Sequence, residues 1–284
     1  MLLDFGDGKR LEQWGQYRLI RPDPTAKGAP AKPALWKSAS AVYRGPKGAG
    51  VWEKRTRLPD DWPVEFDDLR LSIKLAPYKH TGVFPEQQAN WRWTREQARG
   101  RARSLNLLNL FAYTGGATIA LAKDGHFITH VDASKPAIGW GKTNAALNAV
   151  PGDRIRWMLD DVPGFVAREQ RRGKRYDGII LDPPAFGCAP SGKAWRLDRD
   201  LAPLLKACCT LLSPEPAFMV LNGYAQNDTP ASFHRLLTET IRENTNLAAF
   251  KITAQELTLS TPAGRQLSTG IVARCAFGSV HRNG

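Results

Sequence analysis

Between Leu105 and Leu221 the chain alternates short apolar runs with helix-compatible segments, and three of the runs lead directly into acidic residues. The runs are Leu105–Phe111, Phe127–Val131, Ile155–Leu159, Tyr176–Leu181 and Ala217–Leu221. They have the length of buried strands and are too short for buried helices. Between them lie helical stretches at 117–123, 135–148, 163–172 and 201–212. Strands joined through helices of this size predict right-handed crossovers in a doubly wound, mostly parallel α/β sheet. The tail from Lys251 reads as strands forming an antiparallel edge, and 94–103 reads as a helix leading in. Upstream the texture differs. Leu11–Ile20 alternates as one strand halted by Arg21-Pro-Asp-Pro24, Ala41–Trp52 reads as two strand ends about a Gly/Pro turn, and Leu69, Leu71, Ile73 and Leu75 share a face. The expected organisation is a small β-rich domain over 1–78, followed by an α/β domain over 79–284.

Ligands of an open α/β sheet bind outside the carboxyl ends of its strands. Four such ends carry special residues here: the loop from Asn109 to Gly116, then Asp132, Asp161 and Asp182. Asp132 lies 17 residues after Gly115, near the spacing of roughly 20 at which a ribose-binding acid follows a nucleotide loop. A carboxylate can accept from both ribose hydroxyls. A lone acid after a strand is usually just a helix cap, so the reading rests on the constellation. Phe111-Ala-Tyr-Thr-Gly-Gly-Ala-Thr118 lacks the three-glycine spacing that a pyrophosphate requires, which disfavours NAD. S-adenosylmethionine has no pyrophosphate, only a sulfonium, a ribose and an amino-acid tail, and a shorter glycine turn admits it. Asp182-Pro183-Pro184-Ala185-Phe186 adds a rigid lip: an acid, two residues of fixed φ and an aromatic ring able to stack on a base.

Leu110-Phe-Ala-Tyr-Thr-Gly-Gly116, Val131-Asp-Ala-Ser-Lys135, Asp161 and Leu181-Asp-Pro-Pro-Ala-Phe-Gly187 together resemble class I S-adenosylmethionine-dependent methyltransferases. The nearer likeness is to the bacterial large-subunit ribosomal-RNA branch that modifies cytosine C5 or guanine N7. His80-Thr-Gly-Val-Phe-Pro-Glu-Gln87, Ala89-Asn-Trp91, Ala167–Gly173 and Trp195 also fit. The likeness spans about residues 65–225, and no PUA RNA-binding domain is recognised before it. It implies a Rossmann-like methyltransferase sheet. By the same resemblance Tyr113, Thr114, Gly115 and Gly116 line the methionine end and Asp132 takes the ribose. Ala133 and Ser134 flank the adenine, Asp161 accepts from its amino group, and Phe84 and Gln87 close the pocket. Asp182, which also borders the cofactor, would face the transferred methyl group, with Pro183, Pro184 and Phe186 completing the lip. Two positions depart from the pattern: Asn109 stands where many relatives have Asp, and Cys188 where a basic residue is usual.

The chain carries a formal charge of +13, which concerns partners rather than fold. Arg92, Arg95, Arg99, Arg101 and Arg103 form one cluster, and Arg168, Arg171, Arg172, Lys174 and Arg175 another. A basic surface favours a polyanion such as RNA, although each run alone reads as a solvated face. No stretch is long and apolar enough to span a bilayer, the N-terminus lacks a leader's basic start, and four cysteines make no disulfide framework. The cytoplasm is the expected compartment. Cys188 is either a thiolate for a carbon-5 reaction or a small loop residue. No metal-ligand spacing occurs. The reading is therefore an S-adenosylmethionine-dependent RNA methyltransferase, monomer or homodimer. Its alternatives are the same enzyme acting on a small molecule or protein, and a non-catalytic RNA-binding factor.

Overall fold

The computed structural model describes residues 1–45, 50–188, 194–224 and 228–278. Two compact units emerge: Met1–Gln88 with Leu257–Thr269, and Ala89–Glu256 with Gly270–Gly284. The domain boundary expected after residue 78 lies inside the first unit, which also takes in a segment from far along the chain.

In the first unit β1 (Leu2–Gly6), β2 (Lys9–Trp14) and β3 (Tyr17–Pro22) precede a one-turn helix α1 (Pro33–Trp36), followed by β4 (Ala41–Arg44) and β5 (Val51–Lys54). These strands form one sheet in sequence order, and β6 (Trp62–Phe66) pairs with β7 (Leu69–Ile73) in a separate hairpin. The expected single strand over Leu11–Ile20 is instead a hairpin, with Leu11 opposite Ile20. Gly15 turns it at φ 63°, a left-handed conformation that costs glycine little. Leu69, Leu71 and Ile73 are buried as their alternation predicts, while Leu75 falls beyond the strand end.

A buried charge cluster organises this unit. Arg21 forks onto Glu12 at 2.6 and 2.8 Å and reaches the Lys79 carbonyl at 3.3 Å. Arg10 sits 3.3 Å from Glu12 and 3.4 Å from Asp23. Burial works to raise the Glu12 carboxyl, but Arg10 and Arg21 outweigh it and hold the group at about 2. His80, one residue beyond Lys79, is lowered to about 3 by burial and then by Arg21, Lys79 and Arg10, so it is neutral.

The second unit runs α2 (Gln88–Arg99), β8 (Asn106–Leu110), α3 (Gly116–Lys123), β9 (Phe127–Asp132), α4 (Lys135–Leu147), β10 (Ile155–Leu159), α5 (Val162–Arg171) and β11 (Gly178–Leu181). A small hairpin follows, β12 (Phe186–Cys188) and β13 (Ala194–Arg196), then α6 (Leu197–Cys209), β14 (Phe218–Gly223), α7 (Pro230–Asn244), β15 (Phe250–Ser260) and β16 (Gln266–Phe277), the last two carrying residues 257–260 and 266–269 of the first unit. The seven-stranded sheet has the order β10-β9-β8-β11-β14-β16-β15. Its first five strands are parallel and β16 runs antiparallel to β14. This is the doubly wound, mostly parallel sheet read from the alternation, with the antiparallel edge at its end.

Chain order reverses between β8 and β11, the switch point at which such sheets bind ligands. Leu108, Leu110, Ile179, Leu181, Met219 and Leu221 share one core with Phe165 of α5, Leu201 and Leu205 of α6 and Leu237 of α7. Asn109 and Phe218 instead meet Thr118 of α3 and Trp93 of α2 on the other face. The helix expected at 94–103 begins at Gln88 and ends at Arg99, ahead of Gly100. Arg101 is outside it and donates to the Pro216 and Phe277 carbonyls at 2.8 and 2.9 Å. The helix expected at 201–212 opens at Leu197, where Asp198 and Asp200 complement its amino end. Among the described residues no helix is long and apolar enough to cross a membrane.

Replacing Arg21 with Met leaves Glu12 buried without its fork and lowers stability by about 3–5 kcal/mol. Urea melts followed by fluorescence should show this, with the Glu12→Leu/Arg21→Met pair recovering only part of the loss, since Arg10 then keeps Asp23 alone. Because the Glu12 carboxyl lies at about 2, below its ordinary value, its contribution is complete above that ordinary value and is lost as the pH falls towards 2.

Candidate functional site

Hydrogen-bond register brings the strand ends together: Leu110 lies beside Val131 and Leu181, Asp132 beside Leu159, and Leu181 beside Leu221. The loop leaving β8 then coils tightly. Phe111 and Tyr113 adopt φ of 57° and 51°, with Gly115 at 85°. Two aromatic residues in the left-handed region are strained, and such strain persists only where the surroundings impose it. Here the surroundings are specific. Asp132 accepts from Tyr113 N at 2.7 Å and from Ser134 N at 2.8 Å. Asn144 of α4 donates to the Thr114 carbonyl at 3.0 Å, and the Phe111 ring rests 5.0 Å from Trp195. A Cβ on Gly116 would stand 2.3 Å from the Trp91 ring, so only glycine lets α2 approach the first turn of α3.

The Asp132 carboxyl is raised by burial, a tendency opposed by the Ser134 and Tyr113 amides. Two backbone donors occupy about half of the four acceptor positions a carboxylate offers. The remainder suits a vicinal diol. Ala133 is half-buried beside it, and exposed Ser134 caps α4 by accepting from Ala137 N at 3.3 Å. Asp161 follows the adjacent strand end and caps α5, accepting from Gly164 N at 2.8 Å. Its second oxygen is not used by the cap. Asp182 lies across the switch point, its amide donating to the Leu110 carbonyl at 3.3 Å. Pro183 is buried and Pro184 exposed. The Pro184 carbonyl accepts from Trp195 Nε1 at 2.7 Å, which clamps the lip, while Phe186 is 74% exposed.

The structure therefore gathers Tyr113, Thr114, Gly115, Gly116, Asp132, Ala133, Ser134, Asp161, Asp182, Pro183, Pro184 and Phe186 at the carboxyl edge of one sheet. Phe84 and Gln87 belong to the first unit, at a single 3-10 turn over Pro85–Gln87, where Phe84 lies 5.0 Å from the His80 ring. Cys188 closes the backbone of β12, and its side chain lies outside the described residues, as do residues 189–193.

Two buried polar chains beneath the site escaped the sequence reading. In the first, Asn109 donates to Thr118 Oγ1 at 2.9 Å, and that hydroxyl bridges to His130 Nδ1 at 2.9 Å. Burial lowers His130 to about 3, so the imidazole is neutral. Asn109, an uncharged amide, matches a neutral chain. In the second, Arg274 donates twice to Asn90 Oδ1 at 2.9 and 2.6 Å. Asn90 donates to Asn222 Oδ1 at 2.8 Å, and Asn222 to the Leu181 carbonyl at 3.3 Å, one residue before Asp182. The position of Asn222 at the end of an apolar run was the one available signal.

The first arginine cluster is largely committed to the framework, the second at Arg168 and Arg172. Arg95 and Arg99 pair with Asp124, and Arg103 forks onto Asp177 at 2.7 and 2.8 Å. Those acids precede β9 and β11, so this cluster sits at the edge of the sheet opposite the site. In the second cluster Arg172 pairs with Glu169 at 3.0 Å, and Arg168 pairs with Asp160 at a strand's carboxyl end.

A family model described as S-adenosylmethionine-dependent methyltransferase matches residues 35–257. Ribosomal RNA large subunit methyltransferase K/L of Syntrophotalea carbinolica is 31% identical over 185 residues, covering 64% of this chain and 25% of that protein. Ribosomal RNA large subunit methyltransferase K of Neisseria meningitidis is 31% identical over 141 residues, 49% of this chain and 39% of that one. The chain thus spans about a quarter of the length of the first-ranked curated relatives. A crystal structure of an S-adenosylmethionine-dependent methyltransferase from Agrobacterium tumefaciens superposes with a TM-score of 0.91 at 37% identity, over 97% of this chain and 89% of the other.

Thr118→Val removes the hydroxyl that joins Asn109 to His130 and costs about 1–3 kcal/mol for each group left unpaired. Since His130 titrates at about 3 when folded, the unfolded chain takes up its proton first. Stability therefore falls as the pH drops from the ordinary histidine value towards 3. Urea midpoints across that range should show the slope, and His130→Asn should flatten it.

Proposed function

The chain belongs to the S-adenosylmethionine-dependent methyltransferase family, and from that premise we propose that it methylates a base in RNA, ribosomal RNA first among candidates. Its cofactor is S-adenosylmethionine. The observation that carries the site assignment is the Asp132 carboxylate, held by two amides with acceptor capacity to spare at the strand end beside the glycine turn. When bound, the cofactor supplies an electrophilic methyl group on a sulfonium whose departure leaves a neutral thioether, so no general acid is needed.

The residues then divide the work. Asp132 accepts from the ribose hydroxyls, and the unused oxygen of Asp161 accepts from the adenine amine, with Ala133 and Ser134 flanking that ring. The backbone from Tyr113 to Gly116, strained into shape before any ligand arrives, holds the methionine end. Asp182 accepts from the amine edge of the target base and Pro183 keeps its carboxylate at a set angle. Phe186 offers an aromatic surface at the mouth. Orientation and exclusion of water account for the rate.

RNA is supported by the relatives, which by name modify large-subunit ribosomal RNA, and by the overall charge of +13. The cluster from Arg95 to Arg103 does not add to that support, since it serves the far edge of the sheet. On this reading the chain works where ribosomes are assembled, in the cytoplasm.

Calorimetric titration tests the pocket: Asp132→Ala should weaken S-adenosylmethionine about tenfold or more, the equivalent of one lost charge-assisted hydrogen bond. Methyl-tritiated cofactor then tests the substrate. Wild type should label ribosomal RNA from cells lacking this gene, and Asp182→Ala should slow labelling with little change in cofactor affinity. Labelling of protein or small molecules alone would overturn the RNA assignment.

A further inference from the structure

The hairpin beyond the Asp182 lip has two unlike faces. β12 and β13 pair Phe186 with Arg196, Gly187 with Trp195 and Cys188 with Ala194. Residues directly opposite in an antiparallel pair project to the same side. One side is spent on the lip: Trp195 is buried, bonds the Pro184 carbonyl and packs on Phe111. The other carries Phe186 and Arg196, both exposed.

Phe186, at 74%, is the most exposed large apolar side chain among the described residues. Other exposed rings have company. Phe127 lies under the Arg154 guanidinium at 4.5 Å, and Tyr78 lies 5.9 Å from His80. Phe186 makes no ring or cation contact among the described residues. An uncovered ring is costly in water, and this one stands beside the proposed methyl-transfer site.

Its neighbour Arg196 is presented rather than buried. Asp198 forks the guanidinium at 3.2 and 2.7 Å, with both side chains more than half exposed. An exposed pair of this kind contributes little to stability, so a phosphate can displace Asp198 at small cost. The hairpin therefore sets a flat apolar face and a transferable cation side by side.

We propose that Phe186 and Arg196 form a platform for one unpaired nucleotide of an RNA strand, the base stacking on Phe186 and the guanidinium taking the adjoining phosphate. The inference rests on the RNA reading above and narrows it to single-stranded segments. In a duplex the base faces are already stacked and unavailable. Because Trp195 packs inward on Pro184 and Phe111 while Phe186 projects from the opposite face into solvent, the stacked base is a neighbour of the one presented to Asp182.

Fluorescence anisotropy decides it, using the full chain saturated with S-adenosylhomocysteine and a labelled oligouridylate of about twelve nucleotides, alone or annealed. Wild type should prefer the single strand. Phe186→Leu should weaken binding about tenfold while Phe186→Trp retains it, which separates stacking from mere apolar contact. Arg196→Ala should weaken binding several-fold and lower the salt slope by about one, and Asp198→Asn should tighten it. Absence of binding, preference for the duplex, or affinities within about twofold for both Phe186→Leu and Arg196→Ala would overturn the platform. A wild type that binds the strand with this pattern but methylates no RNA sinks the functional reading alone. Methylation of RNA with both variants unchanged sinks the platform alone.

Discussion

The Asp132 carboxylate ties the loop leaving β8 to the start of α4. By accepting from Tyr113 N at 2.7 Å it stabilises a loop in which two aromatic residues take left-handed backbone angles. By accepting from Ser134 N at 2.8 Å it sets the start of α4, whose Asn144 then secures Thr114. One side chain thus shapes both walls of the site and still has oxygen positions to offer. That double duty explains why the strain in the loop is tolerated. Relaxing Phe111 and Tyr113 would cost the carboxylate a buried donor, and a buried acceptor left unmet is expensive.

The lip across the switch point is supported differently. Asp182 follows a strand whose last carbonyl receives a hydrogen bond from Asn222, backed by Asn90 and the Arg274 guanidinium. Burial lowers Arg274 from its ordinary range, and Glu96 works against that trend. Donors in this chain all face the lip, so each bond polarises the next. Trp195 clamps the outer side through the Pro184 carbonyl. The Asp132 side of the site is therefore braced by a neutral chain ending in His130, and the lip side by one that begins in a cation.

Much of this was legible in the chain. Strand and helix periods identified the sheet, and the acids at Asp132, Asp161 and Asp182 marked its carboxyl edge because functional groups collect there in open α/β folds. What escaped notice was non-local or locally ambiguous. Alternation continues through Gly15, so a hairpin looked like one strand. The Arg95–Arg103 run looked like a solvated face because its partners Asp124 and Asp177 lie far along the sequence. Asn90, Asn222 and Arg274 are separated by 132 and 184 residues from the partners they bond, and no periodicity links them.

By itself the sequence determined the order of elements, the glycine turn after β8 and the residue types at each strand end, since these follow from local sterics and hydrophobic period. Tertiary structure alone decided which charges are available and which are spent, which polar groups join beneath the site, and which way Phe186 faces. Those properties depend on pairing across the sheet, where the register of one strand against another, and not the neighbours along the chain, chooses each side chain's company.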